Sequence, residues 1–260
     1  MSQQRAIRAA QAAASVFLFL WMGGALATPL APPGVAGQVL FSNPPAGIQV
    51  NALGTFPLSG PNGSLQFVAV GTPAPFLSAD ASMVPFFFGS ASGTLVYAME
   101  VLGPAGDVPV SITVSGGVSG SSQLLSGDTF AGFAMMSLWR FDTVGGASII
   151  PEEGINTPSL TGTFEQSFGQ THEVMLTANQ VYKVTMTVSA GARAGSASSF
   201  IDPIFSFAPG TGQEYSFNFS DGIGNAPIPE PGTYLLLSAG LLVVSTLSRG
   251  KIRSTAVASA

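Results

Sequence analysis

Apolar and polar residues alternate along much of this chain with a period of two. Over 181–188, Tyr182, Val184, Met186 and Val188 share one side, and Lys183, Thr185 and Thr187 take the other. The stretch 214–220 repeats the pattern, with Tyr215, Phe217 and Phe219 opposite Ser216, Asn218 and Ser220. Over 94–101, Leu95, Tyr97, Met99 and Val101 form the apolar side and Glu100 lies on the polar one. Alternation of this kind lays one face of a sheet on a core and leaves the other in water. Further strands are predicted over 38–41, 48–53, 65–70, 85–88, 108–114, 132–141, 162–168, 173–176 and 200–207. Turn-forming clusters punctuate them: Asn43-Pro44-Pro45, Gly60-Pro61-Asn62-Gly63, Gly103-Pro104-Ala105-Gly106 and Ala208-Pro209-Gly210. The small residues of 191–199 read as a loop between two strands. No segment of the body combines helical periodicity with caps. The prediction is therefore an all-β body over 28–226, an antiparallel β-sandwich of jelly-roll-like type.

The two ends break the pattern. Near the start, Arg5 and Arg8 precede an apolar stretch centred on Val16, Phe17, Leu18, Phe19, Leu20 and Trp21. Ala25-Leu26-Ala27 then offers an A-x-A site, to be cut before Thr28, so residues 1–27 read as a secretory signal peptide. Near the other end, Pro229-Glu230-Pro231 is followed by 17 uncharged residues, 232–248, and then by Arg249, Lys251 and Arg253. As a helix those residues would span about 25 Å, the short end of what crosses a bilayer. Basic residues after a membrane segment tend to stay cytoplasmic, which puts the body outside, in agreement with the signal peptide.

Pro229-Glu230-Pro231, one short transmembrane helix and a terminal basic stop resemble the PEP-CTERM sorting signal of Gram-negative bacteria, here over 227–253. The resemblance implies an exported protein recognised by a membrane protease of the exosortase type. It implies an inner-membrane intermediate that is cut near the tripeptide, then placement at the cell surface or in the extracellular matrix. Proteins of this class accompany exopolysaccharide and biofilm. The run from Tyr182 to Ala190 and the later Phe200-Ile201-Asp202-Pro203 also resemble the closing strands of such proteins.

Composition narrows the function. Only 8% of residues are charged, while 32 Gly and 19 Pro accompany 19 Phe, enough apolar content for a sizeable core. Residues 80–230 hold all thirteen acids and only Arg140, Lys183 and Arg193, a net charge of −10. Such a surface repels nucleic acid. With no cysteine there is no disulfide framework, thiolate nucleophile or cysteine-ligated metal.

Candidate chemistry is sparse. His172 is the lone histidine, and no G-x-S-x-G or H-E-x-x-H pattern supports catalysis; it is expected to cap a turn before a strand at Glu173. Glu152-Glu153 is the one adjacent acid pair and reads, between Pro151 and Gly154, as a solvated turn rather than a glycosidase pair. Asp80, Asp107, Asp128, Asp142, Asp202 and Asp221 lie near expected turns, where calcium is possible without an assignable ligand set. No catalytic residue is assigned, and the expectation is a non-enzymatic structural or adhesive protein. The alternative is a carbohydrate-binding module acting on exopolysaccharide; a glycoside hydrolase comes last. Trp139 is the aromatic proposed as a sugar platform, although alternation places it on the side of Ser137 and Phe141, where core packing competes.

Overall fold

A computed structural model describes residues 29–42, 45–122, 132–211 and 213–225, with the side chains of 158 and 159 excepted. The described residues contain no helix and eleven strands, joined by antiparallel pairing into one continuous sheet. They are β1 (Gly34–Ser42), β2 (Pro45–Val50), β3 (Gly54–Gly60), β4 (Gly63–Val70), β5 (Phe76–Leu102) and β6 (Asp107–Ser122). Then follow β7 (Gly132–Thr143), β8 (Ser148–Leu160), β9 (Gly162–Thr177), β10 (Val181–Phe207) and β11 (Ser216–Phe219). The all-β antiparallel expectation holds. Residues 1–27, expected to be a signal peptide, Thr28, the Pro229-Glu230-Pro231 motif, the segment 232–248 and the basic residues expected as a stop lie outside the described residues.

Two strands of 27 residues each, β5 and β10, organise the rest. Their partners change half-way. In one layer the C-terminal half of β5 pairs with β1, and β1 with β2; the N-terminal half of β10 pairs with β7, and β7 with β8. In the other layer the N-terminal half of β5 pairs with β4, and β4 with β3; the C-terminal half of β10 pairs with β6, and β6 with β9. The result is sandwich-like, with the β5–β10 pair running through both layers. β11 extends the first layer by pairing with β5 over Val101 and Met99.

The crossing is a corner. Arg193 pairs with Phe88 and Gly195 with Met83, so residues 84–87 of β5 face only Ala194. Phe86 and Ala194 adopt left-handed backbone there, with φ of 71° and 54°. Both are costly for a side chain and are held by the regular pairing on either side. The strand predicted over 85–88 falls at this corner, and Phe86 stands 67% exposed.

Several expectations are corrected. Residues 191–199 are not a loop: they continue β10, because Ala192, Ala197 and Ser199 turn inward while Ser196 and Ser198 turn outward. β8 runs through Pro151-Glu152-Glu153-Gly154, which is not a solvated turn. β3, unpredicted, carries Pro57. Both are edge strands, where a proline removes no ladder hydrogen bond on its free side. His172 sits inside β9 and caps nothing.

Between the layers, Phe67 of β4 is fully buried against Gly93 of β5. A Cβ at Gly93 would come within 2.4 Å of the Phe67 Cζ, so only glycine lets the facing backbone approach this ring. On the far side, Trp139 and Phe141 stack at 6.0 Å, and Phe141 meets Phe205 of the opposite layer at 5.9 Å. Phe205 in turn contacts Phe217 and Phe219 of β11. Phe67→Ala should cost about 3–5 kcal/mol and Gly93→Ala about 1–3 kcal/mol. In the double variant the glycine penalty should largely vanish, because the ring it strikes is gone. Urea unfolding of the four proteins measures this; simple additivity would show that the layers do not meet here.

Candidate functional site

Trp139 is not a sugar platform. Its side chain is fully buried and stacked on Phe141, so its ring offers no face to a sugar. The alternation that grouped it with Ser137 and Phe141 is right, and that side points into the core: all three are buried.

The acid pair divides between the two sides of β8, as neighbours on a strand must. Glu152 turns outward and pairs with Arg140. Glu153 turns inward, where it meets His172 Nε2 at 2.5 Å. Since β8 and β9 are the outer strands of opposite layers, this contact pins the two layers together along one open side. Among the described residues, neither side chain has another hydrogen-bond partner.

The aspartates do not converge. Asp80 lies within β5, Asp107 begins β6, Asp142 is the penultimate residue of β7 beside Lys183 at 3.6 Å, Asp202 lies in β10 and Asp221 in a turn. Asp128 lies outside the described residues. Among the described residues, no group of three or more acids or histidines is placed to hold a metal ion.

A different region forms a site. The outer face of the second layer is hollowed into a cleft of about 580 Å³ that crosses all six of its strands. Cross-strand register sorts its residues into rows. Ser59, Ser64, Ser82, Ser196, Ser121 and Thr163 are successive partners from β3 to β9, one hydroxyl per strand. Two residues along each strand lies a second row: Pro57, Gln66, Asp80, Ser198, Ser119 and Glu165. Within it, Ser198 Oγ donates a 2.6 Å hydrogen bond to Asp80 Oδ1.

The third row supplies an aromatic ring. Phe200, next outward-facing residue on β10 after Ser198, is 37% exposed and stacks on Phe76 with centroids 6.4 Å apart. It leans over Gly117, where a Cβ would come within 2.8 Å of its Cε1. A smaller hollow joins Phe200 to Ser198, Ser119 and Glu165. The face thus combines hydroxyls that both donate and accept, two carboxylates and an amide, and one flat apolar surface. Such a set hydrogen-bonds a polyol while the ring takes up the C–H side of a sugar.

Sequence reasoning missed this face, although the signal was present. Ser78-Ala79-Asp80-Ala81-Ser82 and Ser196-Ala197-Ser198 alternate polar with small residues. Alanine is too weakly apolar to stand out as the buried side of a strand, so the alternation reads as a loop.

No protein-family model matches the chain, and no curated protein matches it in sequence. Among solved structures, TmCBM61 in complex with beta-1,4-galactotriose is 17% identical, over 51% of this chain and 71% of its own, with a TM-score of 0.26. The enzymatically active domain of Bacteriophage CBA120 tailspike protein 4 is 11% identical over 60% of this chain and 19% of its own, with a TM-score of 0.25. An arabinose-bound MgGH51 α-L-arabinofuranosidase is 15% identical over 57% and 23%, with a TM-score of 0.22. With all three TM-scores below 0.5, the reading of the face rests on its own residues.

Two positions beyond Phe200, Asp202 is half-buried, and desolvation raises its carboxyl above the usual 3.8. The buried Tyr97 hydroxyl is pushed up as well, by burial first and then by the Asp202 charge. A raised folded-state value means that the stabilising contribution of Asp202 is full below about pH 4 and is lost as pH rises. Asp202→Asn should therefore raise the melting temperature at neutral pH, and the gain should shrink to nothing on acidification. A gain independent of pH would show that ionisation of Asp202 is not its source.

Proposed function

We propose that this chain is an exported, non-enzymatic protein of the cell surface or extracellular matrix, and that it engages an exopolysaccharide through the outer face of its second layer. The scaffold we propose is a jelly-roll-like sandwich. The observation that carries the reading is the unbroken hydroxyl row across six strands, flanked by the row of Asp80, Ser198 and Glu165 and, beyond that, by the exposed ring of Phe200. The resemblance of the tail to a PEP-CTERM signal supports export, recognition by an exosortase-type protease and an association with biofilm polysaccharide.

Geometry favours binding over hydrolysis. The two carboxylates of the second row, Asp80 and Glu165, are separated by three strand-to-strand steps, ~14 Å at the usual sheet spacing. Paired glycosidase carboxylates lie about 5–10 Å apart. Glu153 and His172 face the core rather than the cleft.

The full-length chain, purified in mild detergent, should be retarded by exopolysaccharide from the producing cells in affinity electrophoresis. Phe200→Ala should weaken this about tenfold, the loss of one stacking contact of ~1.4 kcal/mol. Ser119→Trp, which plugs the middle of the cleft, should abolish it. Unchanged retardation in both variants would remove the face from the reading. Separately, mass spectrometry of the mature protein should find an N-terminus at Thr28 and a new C-terminus near Pro231; intact tail peptides in the mature pool would defeat the processing step.

A further inference from the structure

We infer that the polysaccharide this face accepts is an uncharged chain running across the strands, and that Asp80 and Glu165 exclude chains bearing uronic acids. The inference rests on the reading of the face as a polysaccharide site.

Direction follows from register. The hydroxyl row advances by one strand at each step, so its five steps cover ~24 Å in a line perpendicular to the strands. That length accommodates several sugar units of an extended chain. The second row runs parallel to it, ~7 Å away along the strands, so the two rows flank one continuous track. Along the strands the lining is different: from Ser196 through Ser198 to Phe200, polar groups give way to a ring within one strand. A chain crossing the strands keeps hydroxyls beneath every unit, whereas one lying along them would not.

Charge sets the class. Among the described residues, both ionisable side chains lining the cleft are acids, Asp80 and Glu165, and no lysine or arginine lines it. A neutral polyol donates its hydroxyls to these carboxylates in charge-assisted hydrogen bonds. A uronate brought to the same track meets like charge, with no cation among the described lining residues to balance it. A single calcium ion cannot bridge the clash by binding both acids, because its oxygen ligands lie at about 2.3–2.6 Å and the two carboxylates stand several strands apart.

The test compares two sets of probes on the full-length chain in mild detergent by affinity electrophoresis. Hydroxyethyl cellulose, dextran and galactomannan are the neutral polymers; polygalacturonate and alginate are the anionic ones, each with and without calcium. At least one neutral polymer should retard the protein, and the anionic ones at least tenfold less. Asp80→Asn combined with Glu165→Gln, checked for an unchanged melting profile, should reduce that discrimination severalfold. Stronger retention by an anionic polymer, lost in Ser119→Trp, would overturn the neutral-chain inference while leaving the face a polysaccharide site. Discrimination unchanged in the double variant would overturn the role of the acids. No retention by any polymer, the producing cells' own included, would defeat the reading of the face itself.

Discussion

Antiparallel pairing between β5 and β10 is the interaction that belongs to both layers. Twenty residue pairs, interrupted once at the corner, link the two strands from Val181–Glu100 to Ile201–Leu77. Each half of the pair then templates its own neighbours on both sides. Separating the layers would therefore mean breaking backbone ladders, and not merely parting two apolar faces. This explains how a chain with so few charges holds a defined shape: the register of two strands fixes where every other strand lies, and the aromatic contacts lock the faces afterwards.

The same pair explains the site. Because Ser82 and Ser196 are cross-strand partners at the centre of the second layer, the hydroxyl row extends outward from them in both directions. Small residues alternate there on both sides: Ala79, Ala81 and Ala197 inward, serines outward. Short side chains on the outer side leave the hollow open, whereas long ones would fill it. The acids and Phe200 sit beside this floor, not on it. The edge strands β3 and β8 contain Pro57 and Pro151, and the contact of Glu153 with His172 closes the gap between β8 and β9, so these edges are poor templates for another strand.

How far the fold was legible depended on side-chain size. Strands whose inward residues are large, such as Tyr182, Val184, Met186 and Val188, announced themselves. Turn clusters were equally clear: Pro61-Asn62 makes the two-residue turn between β3 and β4. Strands whose inward residues are alanine, glycine or serine did not, and they build the middle of the candidate face. Trp139 showed the converse error, since a rare large aromatic draws attention as a binding group when its size makes it a core group. The split of β5 and β10 between layers was out of reach for a further reason. It depends on Phe86 and Ala194 accepting left-handed backbone, which neither residue type signals.

Both described ends of the chain leave from the foot of the sandwich, away from the corner: the first by the start of β1, the last where Gly224 bonds Gly71 and Asn225 bonds Phe205. Gly34 begins β1 opposite Val96, β11 lies alongside Leu102 to Met99, and Ser220 Oγ donates to the carbonyl of Ala31. The hydroxyl row instead borders the corner, where Ser82 adjoins the turn of β5 into the other layer. A molecule moored through its tail would stand upright on that foot, with its groove at the summit. Close neighbours would hide the base before they hid the hydroxyl row.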